Sequence, residues 1–198
     1  MDMRAFRFLL QDLLNKLKLK ENPKISFLGA GNASFRLALA FKAAGCEVPY
    51  IWNRSKESAV ELVKILNKPE YNLHSLPNTR FTQSLEEVSN SDILIIALSD
   101  SVVERYANNV STIENIKEGK CVVCHISGSL SSNIINSIPK NGVFYPLMTL
   151  SKIKPVDMTL VPFLIEASDD ATFNLLTRLS TILGSEFKKC NSEERLKM

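Results

Sequence analysis

The sequence predicts an α/β fold: a doubly wound, mostly parallel sheet with helices on both faces. Short apolar runs typical of strands alternate with segments in which apolar residues recur every three or four positions, as on one face of a helix. The run over residues 92–98 is almost wholly apolar, as expected for a strand buried on both faces of a parallel sheet. Alternation at this spacing indicates right-handed βαβ crossovers.

The elements follow in order along the chain. We predict strands over residues 24–28, 48–52, 80–82, 92–98, 121–126, 142–145, 163–167 and 186–190. We predict helices over residues 32–44, 55–67, 85–88, 101–109, 131–137 and from 169 or 170 to 183. Ser55 and either Asp169 or Asp170 are the expected N-caps, and Gly45 and Gly184 follow two expected helix ends.

Residues 1–22 are predicted to form a separate unit, an N-terminal amphipathic helix. Its apolar side chains recur at helical spacing and basic residues flank them. The apolar stripe consists of Phe6, Leu9, Leu10, Leu13, Leu14 and Leu17. We interpret it as a helix packed on its own domain or on a second copy. The alternative is a helix that binds a partner or a membrane surface.

Composition excludes several classes of protein. The chain has 198 residues, 45% hydrophobic and 23% charged, which is typical of a globular protein. A net charge of +3 does not indicate a nucleic-acid partner. The longest apolar run, residues 93–98, is far shorter than the ~18 residues of a membrane span, and no secretory signal is recognisable. We therefore expect a cytoplasmic protein with no membrane span.

The four cysteines are expected to be reduced and buried. Cys121 and Cys124 have the C-x-x-C spacing, but they lie in a predicted strand, where positions three apart point to opposite faces. No second pair and no histidine cluster completes a zinc set. We therefore expect no metal site.

A glycine-rich turn is the strongest local signal. A predicted strand leads into a predicted helix through Gly29, Ala30, Gly31, Asn32, Ala33 and Ser34. This is the G-x-G-x-x-G frame with serine in the third place. Gly29 permits the tight turn, Gly31 lets the backbone approach a pyrophosphate, and the helix N-terminus supplies free N–H groups. The pattern predicts a Rossmann-like dinucleotide-binding domain over residues 23–191.

The end of the second strand indicates which dinucleotide binds. An NAD site has a carboxylate there for the ribose hydroxyls, but this strand ends in Asn53, Arg54 and Ser55. Arg54 and the nearby Lys56 can neutralise a 2′-phosphate, and Asn53 and Ser55 can hydrogen-bond to it. NADP is therefore the predicted cofactor, and the alternative is a solvated basic start of a helix.

Two later strand ends supply further candidates. Leu98, Ser99 and Asp100 either contact the cofactor or only cap the next helix. His125 and Ser127 are the catalytic candidates, as proton-relay or orienting residues. An ordinary histidine pKa of ~6.5 suits protonation of a developing alkoxide or amine. The alternative is a histidine that only orients its loop.

Several motifs occur together in one order along the chain. They are Ala97–Asp100, His125–Gly128, Gly142–Leu147, Ser151-Lys152, Pro162–Ala167 and Ser192–Arg195. With the glycine turn and the end of the second strand, they resemble the bacterial Rossmann-like proteins that carry a DUF2520 domain. That family is similar to pyrroline-5-carboxylate reductase and to the coenzyme-F420-dependent NADP oxidoreductases.

The resemblance implies a helical C-terminal domain that forms a homodimer and closes the substrate cleft. Residues 192–198 are expected to begin that domain, and the chain ends there. Met148 departs from the pattern, which has a glutamine at this place. The resemblance leaves open whether NADP or F420-linked chemistry operates.

The leading hypothesis is an NADP-dependent oxidoreductase that transfers hydride to the C=N or C=O carbon of a small-molecule substrate. This chain is its dinucleotide-binding domain, and Tyr145 and Lys152 either line the substrate side or are structural. The alternative is a non-catalytic NADP-binding sensor or scaffold. A third hypothesis is an interaction module that acts through the N-terminal helix.

Overall fold

The structure is a computed structural model that describes residues 22–197. The amphipathic helix predicted over residues 1–22 lies, apart from residue 22, outside the described residues. Within residues 22–197, no helix combines the length and the apolar character needed to cross a membrane.

Eight strands form one sheet. Their bounds are β1 Ile25–Leu28, β2 Tyr50–Trp52, β3 Arg80–Thr82, β4 Ile93–Ile96, β5 Val122–His125, β6 Asn141–Pro146, β7 Phe163–Ala167 and β8 Phe187–Lys189. Their order in the sheet is β3-β2-β1-β4-β5-β6-β7-β8. The first six are parallel, β7 is antiparallel to β6, and β8 is parallel to β7. The predicted Rossmann-like, mostly parallel sheet is confirmed.

Seven α-helices surround the sheet in the described part of the chain. Their bounds are α1 Asn32–Ala43, α2 Lys56–Leu66, α3 Leu85–Ser89, α4 Asp100–Ser111, α5 Glu114–Lys117, α6 Asp170–Ile182 and α7 Ser192–Arg195. Two 3₁₀ turns lie at Ser132–Ile135 and Met158–Leu160, the first in place of the longer helix predicted over residues 131–137. Asp169 caps α6 by accepting a hydrogen bond from the Thr172 backbone N–H, as predicted.

Two apolar cores cover the two faces of the sheet. One packs the buried side chains of α1, α2 and α6 against the strands, and the other packs those of α3, α4 and α5 against the opposite face. Cys124 lies in the first core and Cys121 in the second, so the C-x-x-C pair points to opposite faces, as predicted. All four cysteines are buried free thiols.

Candidate functional site

The carboxyl ends of four neighbouring strands meet at one edge of the sheet. The register aligns Leu28 with Trp52 on one side and with Ile96 on the other, and it aligns Ile96 with His125. The chain runs outward from β1 to β3 in one direction and from β4 to β6 in the other. The point where the strand order reverses therefore lies between β1 and β4, which is where ligands of doubly wound folds bind.

Gly29, directly after β1, lies against two neighbouring strands. Its φ is +119°, and a Cβ atom there would lie 2.4 Å from the carbonyl oxygen of Ala97. Its N–H donates to the Trp52 carbonyl oxygen at 2.7 Å. Residues with a side chain rarely adopt this φ, and no space remains for a Cβ atom. The turn therefore requires glycine at this position.

Gly31 meets the opposite environment. It is the N-cap residue of α1, and no heavy atom lies within 4 Å of the position that its Cβ would occupy. Ser34 is fully buried in the helix–sheet contact, which suits the small third residue of the glycine frame. The turn is therefore closed on the side of the sheet and open above Gly31.

Three long helices begin at this edge without a side-chain cap. The N-cap residues are Gly31 for α1, Ser55 for α2 and Ser99 for α4, and none of their side chains accepts a capping hydrogen bond. Ser55 occupies the predicted N-cap position, but its Oγ lies 3.1 Å from the Asn53 Nδ2 that donates to it. No side chain therefore caps the first turns of these helices, although the Val102 N–H of α4 donates to the Ser99 carbonyl oxygen at 3.0 Å. The uncapped first turn of α1 is the one that the glycine turn presents to an anion.

A cleft of about 380 Å³ lies between the end of β2 and the start of α4. Ten residues line it: Trp52, Asn53, Arg54, Ser55, Leu98, Ser99, Ser101, Val102, Arg105 and Tyr106. Two arginines therefore line one cleft, Arg54 on one side and Arg105 on the other. The cleft brings together five of the predicted cofactor-binding residues: Asn53, Arg54, Ser55, Leu98 and Ser99. Asp100 is not among the lining residues.

The α4 side of the cleft went unrecognised in the sequence. The Tyr106 ring packs edge-on against Trp52 with centroids 4.9 Å apart, and the Arg105 guanidinium lies 5.0 Å above the Tyr106 ring. The Trp52 Nε1–H donates to the Gln83 carbonyl oxygen at 3.0 Å. The i, i+4 spacing of Ser101 and Arg105 was the available signal, since it places both on one face of the helix.

His125 is fully buried at the end of β5. Its Nδ1 accepts the Ser127 N–H at 3.2 Å, which places the proton of the neutral ring on Nε2. Burial, together with the positive charge of Arg195, lowers the pKa of His125 to about 4. The imidazole is therefore neutral near pH 7, and this geometry supports the orienting role more than the proton-donating one.

Ser127 shapes the loop that follows. Its Oγ accepts hydrogen bonds from the backbone N–H groups of Ser129 at 3.2 Å and Leu130 at 3.1 Å. The Ser129 hydroxyl donates to the Asp100 carboxylate at the start of α4. Asp100 therefore joins the loop after β5 to the helix after β4.

Tyr145 and Lys152 hold neighbouring loops. The Tyr145 ring lies against Gly128, where a Cβ would come within 2.7 Å of Cζ. The carbonyl oxygen of Lys152 accepts from the Arg36 guanidinium at 2.7 Å, and its Nζ lies 5.9 Å from the Phe35 ring centroid. Each residue therefore contacts a neighbouring segment of the same domain.

The fold, the glycine turn and the uncapped helices define a Rossmann-type domain of the dinucleotide-binding class. Residues 11–127, more than half of the chain, match the family model for shikimate/quinate 5-dehydrogenase. The chain therefore belongs to that family. A shikimate dehydrogenase (NADP(+)) of Saccharolobus solfataricus is 36% identical over 98 residues, which cover 46% of this chain and 36% of the relative.

Solved structures share the fold. A Bacteroides fragilis protein described as an NADP oxidoreductase superposes with a TM-score of 0.75 at 29% identity, covering 89% of this chain and 64% of the other. Prephenate dehydrogenase from A. aeolicus gives 0.67 at 14% identity, covering 87% and 61%. Plasmodium falciparum pyrroline carboxylate reductase gives 0.59 at 13% identity, covering 87% and 58%. The chain thus spans about a third of the curated relative and less than two thirds of these structures.

Proposed function

We propose that this chain is the NADP-binding domain of an oxidoreductase that reduces a C=N or C=O bond in a small-molecule substrate. The observation that carries the proposal is the pair Arg54 and Arg105, which face one cleft beside a glycine turn that is open above Gly31. The described residues fit a phosphorylated dinucleotide, because the turn leaves room for a pyrophosphate and the cleft supplies two cations.

Each part of the edge has a distinct task in this proposal. The turn from Gly29 to Ser34 and the free N–H groups of α1 hold the pyrophosphate. Arg54, with Asn53 and Ser55, binds the 2′-phosphate, and Arg105 faces it from α4. Leu98 and Ser99 contact the middle of the dinucleotide, and Asp100 fixes the start of α4 to the loop after β5. Bound NADPH supplies the hydride.

His125 and Ser127 position the far end of the site. Since the imidazole is neutral and enclosed near pH 7, we assign to His125 the holding of the Ser127 backbone rather than the donation of a proton. Ser127 in turn orders two backbone N–H groups of its loop. The loop thus presents a fixed surface beside the α4 N-terminus.

The same burial of His125 favours a second candidate function, a non-catalytic NADP-binding sensor or scaffold. An enclosed neutral histidine serves binding without any proton transfer. The two functions differ in turnover: oxidation of NADPH by the protein with a panel of cyclic imines and 2-oxo acids supports the reductase. Binding of NADPH with no oxidation across the panel supports the sensor.

We also infer that the nearest functional setting is that of the DUF2520-containing, pyrroline-5-carboxylate reductase-like proteins. The motifs from Ala97 to Arg195 support this inference, and the Bacteroides fragilis structure supports only the coarser class of NADP oxidoreductase, at 29% identity over 89% of the chain. In this setting a helical domain after residue 191 forms the homodimer and covers the substrate. Cross-linking and sedimentation of the protein with that domain test the dimer.

The cofactor assignment is tested by calorimetric titration with NADPH and NADH. Arg54→Ala is expected to weaken NADPH binding about 10- to 100-fold, since a charge-assisted hydrogen bond contributes roughly 1.5–3 kcal/mol. NADH binding should change little. Lys64→Ala is the matched control, because Lys64 is a cation in the last turn of α2 and is not among the residues that line the cleft. Equal NADPH affinity in wild type and Arg54→Ala would overturn the 2′-phosphate assignment.

A further inference from the structure

Arg195, in α7, is a charged side chain enclosed by the protein. The residue is 3% exposed, and its guanidinium donates from Nη1 to the Glu166 carboxylate at 2.9 Å. From Nη2 it donates to the carbonyl oxygen of Leu130 at 2.6 Å. A buried charge is tolerated only when it is paired and hydrogen-bonded, so these contacts fix the position of Arg195. They join α7 to β7 and to the loop after β5.

Glu166, on β7, has its carboxylate oxygens engaged by three side chains. Oε1 accepts from the Ser132 hydroxyl at 2.7 Å, and Oε2 accepts from the Ser192 hydroxyl at 2.8 Å as well as from Arg195. Burial would raise the pKa of Glu166, but the hydrogen bonds from Arg195, Ser132 and Ser192 outweigh it and hold the pKa below its usual range. The ion pair is therefore intact at neutral pH.

The sheet places this ion pair in the row of His125. The register aligns His125 with Val143 and Val143 with Glu166. Adjacent strands at aligned positions present their side chains on the same face, so Glu166 lies on the face of His125, two strands away. Glu166 and His125 therefore lie on one face of the sheet, with β6 between their strands.

We call residues 127–132 the serine loop, and it is held from two sides. On one side the Ser129 hydroxyl donates to Asp100 at the start of α4. On the other side Arg195 binds the carbonyl oxygen of Leu130, and Glu166 accepts the Ser132 hydroxyl. The loop therefore spans the distance between the α4 N-terminus and the ion pair.

We propose that Glu166 and Arg195 are positioning residues, which hold the serine loop against the start of α4 and so set the affinity for the nicotinamide half of the cofactor. Neither residue is among those that line the Arg54–Arg105 cleft, so neither contacts the adenosine half. The inference rests on the proposed function, because it assigns the two halves of NADP to the two ends of the site.

The test separates the two halves of the cofactor. NADPH carries both halves, and 2′,5′-ADP carries only the adenosine half with its 2′-phosphate. In Arg195→Leu, NADPH affinity should fall about 3- to 30-fold, the range typical of residues that act through a network. Affinity for 2′,5′-ADP should stay within about twofold of wild type. A general disturbance of the fold would weaken the binding of NADPH and of 2′,5′-ADP equally, and equal losses would overturn the inference.

Two further variants should lose less NADPH affinity than Arg195→Leu. Ser132→Ala removes one hydrogen bond to Glu166 and keeps the ion pair, so its effect on NADPH should be smaller than that of Arg195→Leu. Arg195→Lys keeps the charge but cannot make both guanidinium contacts, so it should restore part of the lost affinity. Unchanged NADPH binding in all three variants contradicts the proposal.

Hydrogen exchange on the ligand-free protein checks the positioning without any cofactor. Amides of the serine loop should exchange at least about tenfold faster in Arg195→Leu than in wild type, while amides of β1 and β4 keep their rates. Unchanged exchange in the loop overturns the positioning role. If wild type binds neither ligand, the proposed function fails, and the exchange rates alone decide whether the pair holds the loop.

Discussion

Gly29 and Ala97 touch through their backbones: a Cβ on Gly29 would lie 2.4 Å from the Ala97 carbonyl oxygen. The turn after β1 is therefore built directly on the end of β4, the strand across the point where the sheet order reverses. This contact fixes the height of the glycine turn above the sheet. It also makes Gly29 a structural residue, whereas Gly31 faces open space.

The first prediction contrasts these two glycines. Gly29→Ala combines a φ of +119° with the clash against Ala97. We expect it to lower the free energy of unfolding by at least about 2 kcal/mol, measured by urea denaturation.

Gly31→Ala is the matched variant for this test. No atom obstructs its Cβ, so its stability should stay within about 1 kcal/mol of wild type. NADPH affinity should nevertheless fall at least about tenfold, because the new methyl group occupies the space assigned to the pyrophosphate. Normal NADPH binding by a folded Gly31→Ala variant would refute the assignment of the glycine turn to the pyrophosphate.

The second prediction concerns Arg105, which lies across the cleft from Arg54. Arg105→Ala should weaken NADPH binding by about 5- to 30-fold and leave NADH binding nearly unchanged, because the lost cation belongs to the cleft proposed for the 2′-phosphate. Arg80→Ala removes an exposed arginine of β3 that does not line the cleft and should change neither affinity. Equal losses for NADPH and NADH would assign Arg105 to the adenine or ribose instead.

The third prediction is a loss of stability in acid that originates at His125. Burial, with the Arg195 charge, lowers its folded-state pKa to about 4, whereas the unfolded chain has the ordinary value of ~6.5. Above that value both states are neutral and His125 contributes nothing to the pH dependence. As the pH falls from about 6.5 to 4, only the unfolded state takes up the proton, and stability falls by up to about 3 kcal/mol.

Urea denaturation at a series of pH values measures this loss. His125→Asn should flatten the slope between about pH 4 and 6.5. NMR titration of the imidazole supplies the direct reading, and a midpoint near the ordinary histidine value would contradict the buried neutral state.

The fourth prediction concerns the cysteines. Burial raises the pKa of the Cys46 and Cys121 thiols to about 12, and it raises the pKa of Cys124 and Cys190 above the usual range. Because the thiolate is the reactive form, the native protein should react with Ellman's reagent at least about 100-fold more slowly than the urea-unfolded protein. Fast reaction of two thiols in the native state would contradict the enclosure of the cysteines.

Most of the fold was readable from the sequence because its signals are local. Apolar runs predicted the buried strands, and the glycine frame together with Arg54 located one edge of the site. Gly45 and Gly184, predicted to follow helices, do follow α1 and α6. The reversed direction of β7 and β8 had no such signal, because the apolar pattern of a strand does not show whether it is parallel or antiparallel to its neighbour.

The rest of the site depends on contacts between distant segments. Arg105 faces the cleft only because α4 packs beside β2, where Tyr106 meets Trp52. Arg195 lies 65 positions from Leu130 in the sequence, yet it binds the carbonyl oxygen of that residue. The enclosure of His125 also follows from tertiary packing. Because the sequence does not reveal this burial, it predicts an ordinary histidine pKa. Periodicity and motif spacing carry no information on such contacts.

Trp52 gives the proposed site a spectroscopic consequence. It is the only tryptophan of the chain, it is 6% exposed, and it lines the cleft between Arg54 and Arg105. Its emission therefore arises from a single known position beside the adenosine end. Because reduced nicotinamide absorbs where indole emits, quenching of this one fluorophore follows occupancy by NADPH in the unmodified protein, with no dye attached.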